Sequence, residues 1–131
     1  MTLVLDEITD SYVEEKYLEG KKFDDDKVRL ELLAPEFLFA TAAILTFGAK
    51  KYDAYNWALG MKWSRVFGAM MRHMWAWWGG KEPTTTSFLF GDLDEESRVS
   101  HLWHAACCLM FLVAYEMRKT GEDDRYIRTQ E

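Results

Sequence analysis

The sequence predicts an all-α fold, a compact helical domain of three to four main helices with a short N-terminal extended segment. Apolar residues recur at 3.6-residue spacing along three long stretches, and glycines at 48, 60, 79, 80 and 121 punctuate them. One stretch, Val28 to Leu33, alternates in polarity, and it is too short to build a sheet alone. With 131 residues, 49% of them hydrophobic and 29% charged, the chain supports one core. The expected organisation is a single domain over 1–131, with an N-terminal extension at 1–27, a helical core at 28–119 and a polar tail at 120–131.

Taken in order, residues 1–27 are acidic and weakly patterned, and Glu19 to Lys27 reads as a charged turn or linker. Pro35 suits a first helical turn, where its missing N–H costs nothing. Phe37, Leu38, Thr41, Ile44 and Leu45 then follow helical spacing, with Gly48 as a natural stop. Lys50 to Trp57 reads as a loop or irregular turn closed by Gly60. Ser64 suits the N-cap of a second helix running to about Trp78, ended by Gly79-Gly80. That helix carries a wide apolar arc and a narrower arc of Arg65, Gly68, Ala69, Arg72, His73 and Ala76. Small residues there admit a close neighbour, and the basic ones favour an anionic one. Residues 81–91 read as a loop whose Phe88-Leu89-Phe90 packs down or meets another subunit. Asp92 or Asp94 is expected to cap the last helix, which runs to about Lys119 before Gly121.

Composition removes several function classes. The longest apolar run, Ala105 to Tyr115, is shorter than a bilayer span. The N-terminus MTLVLDEITD has acids where a signal peptide needs basic residues. A cytoplasmic protein without a membrane partner is expected. A formal net charge of −6 disfavours a nucleic acid polymer as partner, because such binding needs a basic surface. A single nucleotide is still compatible, since a metal and a few basic side chains neutralise one phosphate group. Cys107 and Cys108 are adjacent in an apolar run and read as reduced core residues.

The chemistry-bearing side chains are few. There are three histidines, His73, His101 and His104. His101 and His104 share a helix face, and on a continuous helix Asp94 and Ser97 fall on the same stripe. Carboxylate and imidazole at this spacing can hold a divalent metal, with His73 supplying a further ligand or a general acid. Lys51 and Arg29 are candidate phosphate contacts, and Asn56 and Trp57 could engage a base or sugar. Six tryptophans in so small a chain are mostly packing residues, yet Trp75-Ala76-Trp77-Trp78 surrounds its helix, so one ring must meet a loop, a ligand or a subunit.

Beyond these patterns, Lys27 to Glu36, Leu45 to Tyr52, Asn56-Trp57, Arg72 to Trp77, Asp92 to Ser97 and His101 to Ala105 together resemble the phage-associated dATP/dGTP diphosphohydrolase family over about residues 25–116. The resemblance implies a relative of MazG-like and MazZ-like all-α nucleotide pyrophosphohydrolases. Such enzymes hold magnesium or manganese on acidic helices and direct water at the α-phosphate. One departure stands out: the ExxE and ExxD pairs of MazG-like enzymes are absent, and His101-x-x-His104 occupies the second place. A histidine-rich site tolerates manganese or cobalt better than it favours magnesium.

Two functions are therefore weighed. The first is a metal-dependent hydrolase converting purine deoxynucleoside triphosphates to monophosphate and pyrophosphate. In it Asp94, Glu96, His101, His104 and Glu36 are the metal ligands, and Glu96 and His73 the catalytic pair. Arg29, Lys51, Asn56, Trp57 and Arg72 hold the nucleotide. The second is a phage protein that sequesters a nucleotide signal without cleaving it, which the missing ExxE favours. A structural or interaction module is the remaining alternative. Homo-oligomerisation is expected, since a small tryptophan-rich domain gains core by pairing.

Overall fold

Three α-helices carry the architecture in the computed structural model, which describes residues 18–79 and 93–127. They are α1 (Pro35–Lys51), α2 (Trp63–Gly79) and α3 (His101–Arg118). No strand occurs among the described residues, and two isolated bridges stand in for a sheet. The all-α expectation holds. The expected 81–91 loop, Gly80 and Asp92 lie outside the described residues.

The chain forms two compact units, Met1–Leu32 and Leu33–Glu131. In the first, the expected extended segment is replaced by a 3-10 turn at Leu30–Leu32. Leu32 N–H donates to the Arg29 carbonyl at 3.2 Å, a local bond that substitutes for a strand partner. Arg29 and Glu31 pair there at 2.7 Å on the surface.

In the second unit Pro35 opens α1 as expected, after an extended Ala34. Gly48 does not stop the helix. The Tyr52 N–H bonds the Gly48 carbonyl at 2.8 Å, so the helix runs on to Lys51. The break falls at Asp53 and Tyr55, which take φ values of 128° and 63°. Asn56–Leu59 then forms a 3-10 turn closed by Gly60, so the expected irregular turn begins only after Lys51.

The start of α2 is also corrected. Ser64 lies inside the helix rather than capping it, and both its N–H and its hydroxyl donate to the Asp124 carboxylate, the first at 2.9 Å. A carboxylate from the far end of the chain thus satisfies a free N–H and complements the helix dipole. The polar tail expected at 120–131 is accordingly docked through its described part. Trp63 N–H donates to the Glu122 carbonyl at 2.9 Å, and the Trp63 indole donates to the Thr120 carbonyl at 3.0 Å. Gly60 and Gly121 make this close approach feasible: both have positive φ, and a Cβ on Gly60 would meet the Gly121 nitrogen at 2.7 Å.

The beginning of α3 differs most from expectation. The helix starts at His101, not near Asp92 or Asp94. Ser100 is its N-cap, its hydroxyl accepting from the Leu102 N–H at 3.1 Å. Residues 94–98 instead close a turn: Arg98 N–H donates to the Asp94 carbonyl at 2.8 Å, and Arg98 adopts φ 63°. A left-handed residue cannot continue a helix, so the stripe expected for Asp94, Ser97, His101 and His104 is split between a turn and a helix. At its other end α3 stops at Arg118, with Lys119 left-handed at φ 56°.

Helix α3 is central, packing against both α1 and α2. The core collects Ala40, Thr41 and Ile44 from α1, Val66 and Ala76 from α2, and Ala105, Cys107 and Tyr115 from α3. Tyr115 is 0% exposed, and its hydroxyl donates to the Trp57 carbonyl at 2.6 Å. Helices α2 and α3 run antiparallel, because His73 meets His101 near one end while Trp63 meets Thr120 near the other.

Candidate functional site

The three histidines converge. His73 projects from α2, and His101 and His104 from the first turn of α3. His73 Nδ1 lies 2.9 Å from His101 Nδ1, so one ring donates and the other accepts. The His73 ring stacks on His104 with centroids 4.6 Å apart and planes 13° from parallel. The i, i+3 spacing on α3 aims both imidazoles at the neighbouring helix, where His73 meets them.

Asp94 reaches this cluster from the turn rather than from a helix. Its Oδ1 accepts from the Ser97 N–H at 2.8 Å and the Glu96 N–H at 3.1 Å, the pattern by which an aspartate shapes its own turn. The same oxygen lies 3.7 Å from His104 Nε2. The Ser97 hydroxyl bridges the two, 3.1 Å from Asp94 Oδ1 and 2.6 Å from His104 Nε2. The anionic carboxylate can only accept, so the Ser97 hydroxyl donates to Asp94 and its oxygen accepts from His104 Nε2–H.

Electrostatics favour neutral rings at His73 and His104 and an ionised Asp94. Burial, followed by the neighbouring rings of His104 and His101, pushes His73 down to about 4. Burial also lowers His104, against the opposing pull of Asp94. For Asp94, burial would raise the pKa, but hydrogen bonds from Ser97 and the nearby His104 hold it below its ordinary value. At neutral pH His73 and His104 are thus neutral imidazoles beside one carboxylate. The contact between His104 and Asp94 is dipolar, not an ion pair.

That donor set suits a divalent transition metal. Metal ligation requires unprotonated imidazole and ionised carboxylate. One donor atom each from His73, Asp94 and His101 lie within 4.8 Å of one another, the only such group among the described residues. His104, with Nε2 occupied by Ser97, lies against this trio instead of joining it.

The other candidates are placed differently. Glu96 is paired with Lys51 at 2.8 Å, an exposed contact joining the C-terminal end of α1 to the turn. Glu36 is exposed in the first turn of α1 and is not part of the convergent group. Arg29 belongs to the first unit, paired with Glu31. Asn56 is exposed at the start of its 3-10 turn. Trp57 stacks on Phe111 with centroids 5.1 Å apart and lies under the Arg118 guanidinium, so its ring is engaged in packing. Arg72 is offset from His73 by about 100° around α2 and lines a cavity with Arg65.

Two features escaped the sequence reading. Ser97 was visible as a neighbour of Asp94 and His101, but its link to His104 depends on the turn at Arg98. Cys108 reads as core, yet it lines that cavity while Cys107 is buried. Burial pushes both thiols up, Cys107 to about 12 and Cys108 to about 11, so neither is a thiolate nucleophile.

Comparison with known proteins bears on this geometry. Residues 18–125 match the family described as "dATP/dGTP diphosphohydrolase, N-terminal". A dATP/dGTP diphosphohydrolase of Salmonella phage PMBT28 is 34% identical over 106 residues, a match covering 81% of this chain and 33% of that relative. The chain therefore matches about a third of the relative's length. No solved structure matches.

Proposed function

The chain belongs to the dATP/dGTP diphosphohydrolase family, and from that premise we propose that it is a metal-dependent nucleotide pyrophosphohydrolase acting on purine deoxynucleoside triphosphates. The observation that supports this reading most is the convergence of His73, Asp94 and His101 donor atoms within 4.8 Å. Water attacks the α-phosphorus, the α–β phosphoanhydride bond breaks, and pyrophosphate leaves with the bonding electrons, giving the monophosphate. His73, Asp94 and His101 would hold the ion, with manganese or cobalt suiting the imidazoles better than magnesium. When bound, such an ion neutralises phosphate oxygens and acidifies water.

The protein's own contribution is positional. Ser97 and Asp94 fix the His104 ring, which stacks on His73 and so orients it. Glu96, two residues along the turn from Asp94 and tethered by Lys51, is the carboxylate assigned to accept the proton from water. Lys51 and Arg72 are assigned to phosphate. Trp57, stacked on Phe111 with Arg118 over its ring, serves as packing instead of a base platform.

A single carboxylate among three imidazoles favours a second reading, in which the protein retains a nucleotide without cleaving it. Incubation of the pure protein with deoxynucleotides and ribonucleotides plus magnesium, manganese or cobalt, with products resolved by ion exchange, separates the two. Monophosphate and pyrophosphate support hydrolysis. Intact nucleotide that stays with the protein supports retention. Under the first reading, His101→Ala and Asp94→Ala each abolish turnover and keep the far-ultraviolet circular dichroism of the parent; full activity in either would sink the ligand assignment.

Self-association belongs to the same proposal. On α2, Phe67, Trp75 and Trp78 are 52%, 57% and 71% exposed, and Met74 continues their stripe. Sustained apolar exposure of this kind marks an interaction surface. Light scattering coupled to size exclusion should give a dimer or larger species, and Trp78→Lys with Phe67→Lys should shift it toward monomer.

A further inference from the structure

A cavity of about 400 Å³ opens along α2 and α3, lined by Arg65, Gly68, Ala69, Arg72, Cys108 and Phe111 among others. Its size falls within the usual range for small-molecule pockets, roughly 300–1,000 Å³. Its position follows from the antiparallel pairing. The lining residues of α2 fall between Trp63 and His73, and those of α3 between His104 and Thr120, so the cavity occupies the stretch of seam directly beyond the imidazole cluster. His104 and Cys108 are one turn apart on α3, as are Ala69 and His73 on α2. The imidazoles and the cavity are successive layers of one seam.

The lining is specific in kind. Val66, Ala69 and Phe111 make an apolar floor, and Gly68 keeps the α2 wall low: a Cβ there would already touch Arg72 Nη1 at 3.4 Å. Arg65 and Arg72 also line the cavity, and among the described residues no carboxylate lies within ion-pair distance of either. Two unpaired arginines on an apolar pocket call for a ligand with a flat apolar body and an anionic or acceptor-rich edge.

We propose that this cavity receives the nucleoside part of a nucleotide whose phosphates lie at the His73–Asp94–His101 end of the seam. This rests on the nucleotide reading above and adds to it where the base and sugar bind. Arg72, beside His73 in sequence, takes the phosphate nearest the sugar. Arg65, about 10 Å further along the helix axis, offers its N–H fork to the acceptor edge of the base.

The test is binding, not turnover. α,β-Methylene-dATP, which cannot be cleaved between its α and β phosphates, is titrated into the wild-type chain, Arg65→Ala and Ala69→Leu with manganese present. Cobalt binding to the same proteins is followed by visible absorbance. The expected result is nucleotide binding at least 10-fold weaker in both variants, with cobalt affinity unchanged. Arg65 is exposed, so its truncation leaves the fold intact even where Ala69→Leu does not. Wild-type binding that both variants retain overturns the cavity assignment and leaves the proposed function standing. Loss of cobalt together with nucleotide in Arg65→Ala overturns it as well, because the effect is then general. A wild-type chain that binds no analogue at all overturns both.

Discussion

The Ser97 hydroxyl lies 2.6 Å from Nε2 of His104 and holds that ring against a carboxylate that is itself fixed by the turn at 94–98. Removing it frees the ring that stacks on His73. The same hydroxyl donates to Asp94 Oδ1 at 3.1 Å, and groups that hydrogen-bond a metal ligand are typically worth about 10- to 100-fold in metal affinity. Ser97→Ala should therefore weaken cobalt binding by about 10-fold without altering helix content, and Ser97→Thr should restore most of it. Equal affinity in Ser97→Ala and the parent would show that the bridge does not orient the site.

Ser100 ends the same turn and starts α3, its hydroxyl accepting from the Leu102 N–H. Loss of such a cap costs about 1 kcal/mol. Ser100→Ala should lower the urea midpoint accordingly, while Ser100→Asp, which keeps an acceptor at the helix N-terminus, should not. If Ser100→Ala melts like the parent, α3 does not depend on this cap.

How much of this was legible in the sequence differs from residue to residue. The pairing of His101 with His104 could be read directly, because three-residue spacing on a helix brings side chains together whatever surrounds them. So could the arc of Arg65, Gly68, Ala69 and Arg72, since helical period alone gathers it on one flank; the structure opens a cavity there. Asp94 does lie beside the histidines, though not by the route that helical spacing implied. Extending α3 backward put it on the histidine stripe, whereas it reaches His104 from a turn that exists because Arg98 adopts φ 63°. Nothing in Arg98 itself signals that conformation. The Asp124 bond to Ser64 spans 60 residues, and no local pattern encodes a partner at that distance. Trp57 shows the opposite limit: its aromatic face suits a base, but Phe111 already occupies it.

Two glycines should respond to alanine with opposite signs. Gly121 has φ 73°, and a Cβ there would overlap the Met61 carbonyl oxygen, so Gly121→Ala faces both backbone strain and a clash. A loss of more than about 1 kcal/mol is expected. Gly48 is inside α1 with nothing within 4 Å of its Cβ position. Gly48→Ala should stabilise by about 0.5–1 kcal/mol through helix propensity. Urea denaturation of the two variants beside the parent measures both, and a destabilised Gly48→Ala would mean that α1 does not continue past that residue.

The imidazole cluster also makes stability depend on pH in a defined direction. His73 titrates near 4 in the folded chain, against an ordinary value of 6.5, because burial and the adjacent rings oppose its charge. Above pH 6.5 it is neutral in both folded and unfolded states, and stability is at its full value. As pH falls from 6.5 toward about 4, the unfolded chain takes up a proton that the folded chain refuses, so unfolding becomes easier. His104 is lowered for the same leading reason and steepens this loss. Asp94 is also lowered, and its contribution disappears only at still lower pH. In metal-free protein the urea midpoint should decline steadily from pH 7 to pH 4.5. His73→Gln, which keeps a polar side chain without the titration, should flatten that decline. A parent midpoint that is level across this range would mean that the His73 and His104 rings are solvated in the folded chain, and the stacked pair beside the proposed metal ligands would not exist in solution.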